Sequence, residues 1–207
     1  MALIIHFKEL AKSLRSEVFL AYSRLKLLSM SAPSEKLEIG SGPMRKRGWT
    51  TLDMCRGADV YWDLRRALPF QDGTFEHVYC SHVLEHFSYP DLRKLLLEVF
   101  RVLRPGGMFF IAVPNAALYI DSYLGNHEPS DLTRFAPAVI SNRPMDTLNY
   151  IFYMDNQHRF MFDEDNLIYH CKEAGFEACS RRAFDSGMDS TARDYESLYM
   201  VCNRPAP

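Results

Sequence analysis

No pair of cysteines in this sequence has CxxC spacing, and the five present (Cys55, Cys80, Cys171, Cys179 and Cys202) are odd in number. Neither a disulfide framework nor a zinc module follows from them. They are expected to be reduced thiols, most of them small buried hydrophobes, which suits a cytoplasmic protein. Charge of one sign is lacking too. The 24 Lys and Arg against 26 Asp and Glu leave a formal net charge of −2, so no basic excess points to nucleic acid or to an anionic membrane. Hydrophobic runs long enough to span a bilayer are missing, and residues 1–7 are apolar but too short, with no small-residue cleavage site, to read as a leader. Internal repeats and low-complexity segments are absent as well.

What remains is an ordinary globular composition, 47% hydrophobic and 24% charged over 207 residues, enough to bury the core of one domain. Residues 8–30 read as an amphipathic helix. Leu10, Leu14, Val18, Leu25 and Leu28 recur at helical spacing, and five Lys or Arg stand among them against two Glu. Packing over the domain is the plain expectation for such a face, with membrane-surface contact or a homodimer contact as alternatives. The division is therefore an N-terminal helix within 1–32 and a domain over 33–207.

Inside the domain, apolar segments alternate with turns. Strands are expected at 36–39, 49–54 and 74–80, with a short extended piece at 60–62. A helix is expected over 91–103, with Pro90 at its start and Arg104-Pro105-Gly106-Gly107 at its end. The uninterrupted apolar run 108–113 suits a buried parallel strand. Residues 116–160 show weaker periodicity and many aromatics, and read as an insertion or lid. A helix at 163–174 and two strands at 176–182 and 197–202 close the chain. The order predicts an α/β, Rossmann-like, doubly wound and mostly parallel sheet with a closing antiparallel hairpin.

The segment Glu38-Ile39-Gly40-Ser41-Gly42 lies at a strand end, where an open α/β sheet presents its binding crevice. A dinucleotide loop wants a third small residue where Arg45 stands, and an acidic residue about 20 positions on. Asp53 comes 13 positions after Gly40. A nucleoside cofactor without a pyrophosphate escapes both requirements, and a carboxylate at the tip of the second strand still accepts from ribose hydroxyls.

The run Leu37-Glu38-Ile39-Gly40-Ser41-Gly42-Pro43 resembles motif I of the class I S-adenosylmethionine (SAM)-dependent methyltransferases. Leu52-Asp53-Met54 is similar to their ribose-binding position, and Asp63-Leu64 with the segment 68–76 to their adenine-side segment. Ser81-His82-Val83-Leu84-Glu85-His86 resembles the turn after strand four, and residues 103–107 the bend before strand five. The resemblance runs in order from Lys36 to about Asn115 and resumes over 160–203. It is greatest to a bacterial branch of predicted methyltransferases linked to surface-glycan synthesis. It implies SAM as cofactor, with S-adenosylhomocysteine (SAH) as product. Glu38 would organise the loop, and Gly40, Ser41 and Gly42 would pass under the cofactor. Asp53 would hold the ribose, Met54 would pack on adenine, Asp63 would accept from its amine, and Leu64 would add a backbone contact. Ser81 and His82 would flank the methionyl end. Pro43 departs from the pattern, where many relatives carry glycine, and removes a backbone donor.

Methyl transfer to a hydroxyl also needs a base of near-neutral pKa. Of the seven histidines, His6, His77 and His170 fall on structural or peripheral positions. His158, at the end of the insertion, is the first candidate base, also because the resembling branch often has a histidine there, followed by His127 and His86. His82 and His86 with Glu85 invite a metal reading, but no third ligand is evident, so no metal is assigned. Arg45-Lys46-Arg47 is expected as a solvated turn, or as a contact for an anionic acceptor. The expected activity is O-methylation of a sugar hydroxyl on a glycan, nucleotide-sugar or related small molecule. N-methylation of an amino sugar and a non-catalytic SAM-binding subunit are the alternatives. A nucleic-acid methyltransferase is disfavoured, because Ser81-His82 stands where an Asn/Asp-Pro-Pro-Tyr/Phe signature would be.

Overall fold

The computed structural model describes residues 17, 18, 21, 23, 33–126, 141 and 143–206. Seven strands form one sheet: β1 (Lys36–Ile39), β2 (Thr50–Asp53), β3 (Val60–Tyr61), β4 (Phe75–Ser81), β5 (Leu103–Pro114), β6 (Glu177–Arg181) and β7 (Ser197–Asn203). Their spatial order is β3-β2-β1-β4-β5-β7-β6. The first five run parallel, and β7 is antiparallel to both β5 and β6. The mostly parallel, Rossmann-like sheet expected from the sequence is therefore present. Because β7 lies between β5 and β6, the chain must leave β6 and return inside it. Residues 182–196 make that return, held by the double ion pair of Arg182 with Asp189.

Helix α1 (Tyr89–Val102) packs Leu92, Leu95, Leu96, Val99 and Val102 against the sheet at three- and four-residue spacing, and Pro90 sits in its first turn, where a missing N–H costs nothing. β5 begins directly at Leu103, earlier than its apolar run suggests. The strand passes through Gly107, where a Cβ would lie 2.9 Å from the carbonyl oxygens of both Arg104 and Glu76. Phe109, Ile111 and Val113 are then fully buried, as a strand covered on both faces requires.

Two features depart from a regular alternation of strands and helices. Residues 40–49 and 54–59, which join β1 to β2 and β2 to β3, contain no helix. Crossovers between parallel strands normally need a dozen or more residues, so both of these, at ten and six residues, are tight. The second feature is the insertion, which is helical in its described parts. Helices α2 (Ala116–Tyr123) and α3 (Pro144–Tyr153) pack on each other around Tyr119, Tyr150 and Ile151, a small core of their own. Their aromatic, weakly amphipathic sequences hid them. Helix α4 (Glu164–Glu173) follows, with the Asp163 carboxylate accepting from the Asn166 amide at its start.

Most of the expected helix at 8–30 lies outside the described residues, as do the membrane and dimer contacts assigned to it. Glu17, Val18, Ala21 and Ser23 are helical. The buried Ser23 Oγ accepts the Tyr61 N–H at 3.1 Å, and Glu17 pairs with Arg66. This part docks at the β3 edge and satisfies an edge donor. Among the described residues no helix is long and apolar enough to cross a membrane.

Phe162 joins the insertion to the sheet: it is fully buried, and its carbonyl accepts from Ala116 N–H at 2.9 Å. Phe162→Ala is expected to lower unfolding stability by about 3–5 kcal/mol, read as a reduced denaturation midpoint in urea at unchanged slope.

Candidate cofactor and active site

β1 ends in Gly40 at φ 70°, a conformation that other residues rarely adopt, and a Cβ there would stand 2.1 Å from Val83 Cγ2. Only glycine lets the end of β1 approach the turn that follows β4. Gly42, at φ 63°, donates its N–H to Asp53 Oδ2 at 2.9 Å. The carboxylate at the tip of β2 thus ties down the loop that leaves β1, in place of the missing helix. With no helix beginning here, there is no helix N-terminus to cradle a pyrophosphate.

Beside this loop lies a cavity of about 440 Å³, in the size range of small-molecule sites. Gly40, Asp53, Met54, Asp63, Leu64 and His82 all line it, as the motif order implies. Glu38, Ser41, Gly42 and Ser81 are not among its lining residues. Burial raises the Glu38 pKa, and the nearby Lys46 ammonium opposes that. The Asp63 carboxylate is gripped by Arg65 through Nε at 2.9 Å and Nη2 at 2.8 Å. Burial works against its ionisation, but the Arg65 hydrogen bonds and charge outweigh it, and the pKa falls below the ordinary value. Each carboxylate oxygen keeps acceptor capacity for a ligand amine. Met54, 45% exposed, offers an apolar surface to a base.

The basic turn after the glycine loop is mostly engaged by the protein itself. Arg45 Nε lies 3.1 Å from the Gly57 carbonyl and 3.4 Å from Asp59. Lys46 donates to the Met188 carbonyl at 3.0 Å, with its ammonium over the rings of Trp49 and Tyr79.

At the other end of the cavity stand histidines. His82 is not on a helix: it has φ 51° directly after β4, and only Leu84–His86 form a 3-10 turn. This left-handed backbone is costly for a non-glycine residue and typical of a functional position. Its Nε2 lies 2.8 Å from Ser197 Oγ. His86 lines the cavity, and its Nδ1 donates to the Gln157 carbonyl at 3.0 Å. His158 is brought up from the end of the insertion, because Arg159 and Phe160 both donate their N–H groups to the Glu85 carbonyl at 2.8 and 3.1 Å. Met154, Asp155 and Asn156, all at positive φ, make the turn that sends the chain back there.

His158 is 5% exposed and does not line the cavity. Its Nδ1 donates to Ile151 O at 2.6 Å, its ring packs on His86, and burial lowers its pKa. It therefore does not face an acceptor in the cavity, and of the two described candidate bases, His86 and His158, His86 is the one at the cavity wall. His127 lies outside the described residues. Sequence reasoning missed Trp62, Arg65, Val83, Phe87, Ser88, Asp91 and Arg159 in the lining. Trp62, Arg65 and Arg159 each adjoin a residue that was singled out. Ser88 and Asp91, hydrogen-bonded at 2.7 Å, form the N-terminal turn of α1 after the histidines.

A methyltransferase domain model matches residues 46–111. Over 128 residues the chain is 31% identical to the ubiquinone/menaquinone biosynthesis C-methyltransferase UbiE of Roseobacter denitrificans, covering 59% of this chain and 47% of that protein. The chain spans about half the length of the curated relatives it matches. Among solved structures, the YcgJ protein of Bacillus subtilis superposes with TM-score 0.53 at 15% identity, over 90% of this chain and 100% of that one. Phosphoethanolamine N-methyltransferase 2 of Haemonchus contortus, in complex with S-adenosyl-L-methionine, gives TM-score 0.52 at 14% identity, over 85% and 50%. The fold is that of the class I SAM-dependent methyltransferases.

The two loop glycines should separate in their tolerance of a methyl group. Gly42→Ala meets nothing within 4 Å and is expected to cost only the left-handed penalty of about 1–2 kcal/mol. Gly40→Ala adds the collision with Val83, and should lower the thermal midpoint by clearly more, as scanning calorimetry of the two variants would read.

Proposed function

We propose that this protein is a SAM-dependent methyltransferase that methylates a hydroxyl of a sugar, on a glycan, a nucleotide-sugar or a related small molecule. The observation that carries the cofactor half is Asp53. It stands at the end of the second strand, fixed by the Gly42 N–H, in a cavity also lined by Met54, Asp63 and Leu64. A ribose between Asp53 and Gly40 and a base against Met54 and Asp63 use each of these groups for its chemistry. SAM supplies an electrophilic methyl on a sulfonium. The chain's own task is to align an acceptor with that methyl and to exclude water, since in-line displacement depends chiefly on orientation.

The acceptor half rests on the lining near His82. His86, Ser88, Asp91 and Arg159 are polar, which supports an acceptor carrying several hydroxyls. His86 is placed to receive the hydroxyl proton. Its Nδ1–H is committed to the Gln157 carbonyl, which leaves Nε2 basic, and the Glu85 carboxylate lies 3.9 Å from that nitrogen, where it would stabilise an imidazolium. A second reading, carbon methylation, is favoured by the C-methyltransferase named above among the relatives. It calls on the same base to take a proton from carbon or phenol. The position of the added methyl, located by mass spectrometry and NMR after incubation with labelled SAM, separates the two.

Asp53→Ala is expected to abolish SAM binding in calorimetry while the fold persists. His86→Ala should keep SAM binding and lower turnover about a hundredfold or more, the usual scale for a lost general base. Unchanged SAM affinity in the first variant, or full turnover in the second, would remove that residue from the account.

A further inference from the structure

Glu85 stands out among the described residues. It is completely buried, and neither carboxylate oxygen has a hydrogen-bond partner among the described residues. A buried carboxylate left so is costly by several kcal/mol in general. Its neighbours do not relieve it. His86 Nδ1 and His158 Nδ1 both point at backbone carbonyls, Gln157 O at 3.0 Å and Ile151 O at 2.6 Å. A carbonyl only accepts, so each Nδ1 carries a proton, and in the neutral rings each Nε2 is a lone pair. Glu85 therefore meets two further acceptors, and the cluster has no donor of its own. His82 does not supply one. Its Nε2 is the donor to Ser197 Oγ, whose own proton goes to the Arg193 carbonyl at 2.6 Å, and its Nδ1 lies 3.5 Å from Glu85 Oε1 while facing Arg193.

A set of acceptors without a donor calls for a cation. Donor atoms of Glu85, His86 and His158 all lie within 4.8 Å of one another. Two neutral imidazoles oriented by backbone carbonyls, with one carboxylate, form the ligand set that holds catalytic zinc and related ions. The carbonyl contact is the usual outer support of a metal-binding histidine. Bonds of about 2.0–2.2 Å in a tetrahedron set donor atoms about 3.3–3.6 Å apart. The 3.9 Å between Glu85 Oε1 and His86 Nε2 needs only a small rotation of His86, the most exposed of the three.

We propose that Glu85, His86 and His158 bind one divalent transition-metal ion of the zinc type beside the cavity, at the wall that His86 lines. Three protein ligands leave at least one position open, and His86 borders the cavity, so an acceptor hydroxyl can enter the coordination sphere there. On binding, the ion would lower the hydroxyl pKa and take over the activating role of the bare His86 nitrogen. This consequence rests on the cavity being a methyl-transfer site; ion binding itself does not.

The test uses the full chain freed of metal with a chelator and titrated with Zn2+ by calorimetry and with Co2+ by visible absorption. One equivalent of Zn2+ per chain, and Co2+ ligand-field bands that rise to one equivalent, are expected. Glu85→Gln and His158→Gln should each weaken Zn2+ binding at least tenfold, while His170→Gln, on α4 and not one of the three ligands, should leave it unchanged. Circular dichroism of each variant reports folding, and if Glu85→Gln unfolds, His158→Gln decides. No stoichiometric uptake by the wild-type chain, or uptake indifferent to both substitutions, overturns the proposal. SAH titrated into the same preparations separates the two claims: metal binding without SAH binding would sink the methyl-transfer reading and leave the metal site standing.

Discussion

One hydrogen bond, from the Gly42 N–H to Asp53 Oδ2, fixes the geometry on which the rest of the site depends. Ten residues without a helix join β1 to β2, so the loop leaving β1 has no helical axis to hold it. The carboxylate at the tip of the neighbouring strand does so instead. That choice places Asp53 at the cavity wall and brings Gly40 against Val83, at the start of the turn that carries the histidines. The cofactor end and the histidine end are thereby set by one contact region. The same short crossover explains the 13-residue step from Gly40 to Asp53, and it removes the helix N-terminus on which a dinucleotide phosphate would rest.

The histidine end depends on a backbone group rather than a side chain. The Glu85 carbonyl accepts from both Arg159 and Phe160, and this double bond docks the end of the insertion beside the turn after β4. His158 arrives at Glu85 as a result, some seventy residues away in sequence. The insertion keeps its own small aromatic core around Tyr119 and Tyr150, and Tyr119 donates to the buried Glu196 at 2.6 Å, which ties that core to the start of β7. The site is thus assembled from two packed units meeting over the carboxyl ends of the strands, the usual place for ligands in an open α/β sheet.

The sheet was legible because buried strands write themselves as short apolar runs between turns, as the later part of β5 and β7 do. The glycine loop and Asp53 were legible because backbone conformation demands glycine at Gly40 and chemistry demands an acid at a strand tip. Helices α2 and α3 were not, since their buried residues, Ala116, Tyr119, Ser122, Thr147, Tyr150 and Ile151, are a mixed polar and apolar set on segments that pack on each other. His158 was singled out for its place at the end of the insertion, yet it is buried and does not line the cavity. Sequence does not show that the Ile151 carbonyl and the His86 ring would enclose it. The third member of the Glu85 and His86 cluster was hidden for the same reason: its proximity comes from main-chain hydrogen bonds that no spacing rule encodes.

The central claim is that the cleft over β1, β2 and β4 receives a sulfonium nucleoside and not a dinucleotide. Amide hydrogen exchange measured with and without SAH, and with NAD+ as the competitor, tests it at the residues concerned. The account predicts that SAH slows exchange at residues 40–42, 54 and 64, while NAD+ leaves them unchanged. Protection of the loop by NAD+, or no protection there with SAH at saturating concentration, would contradict it.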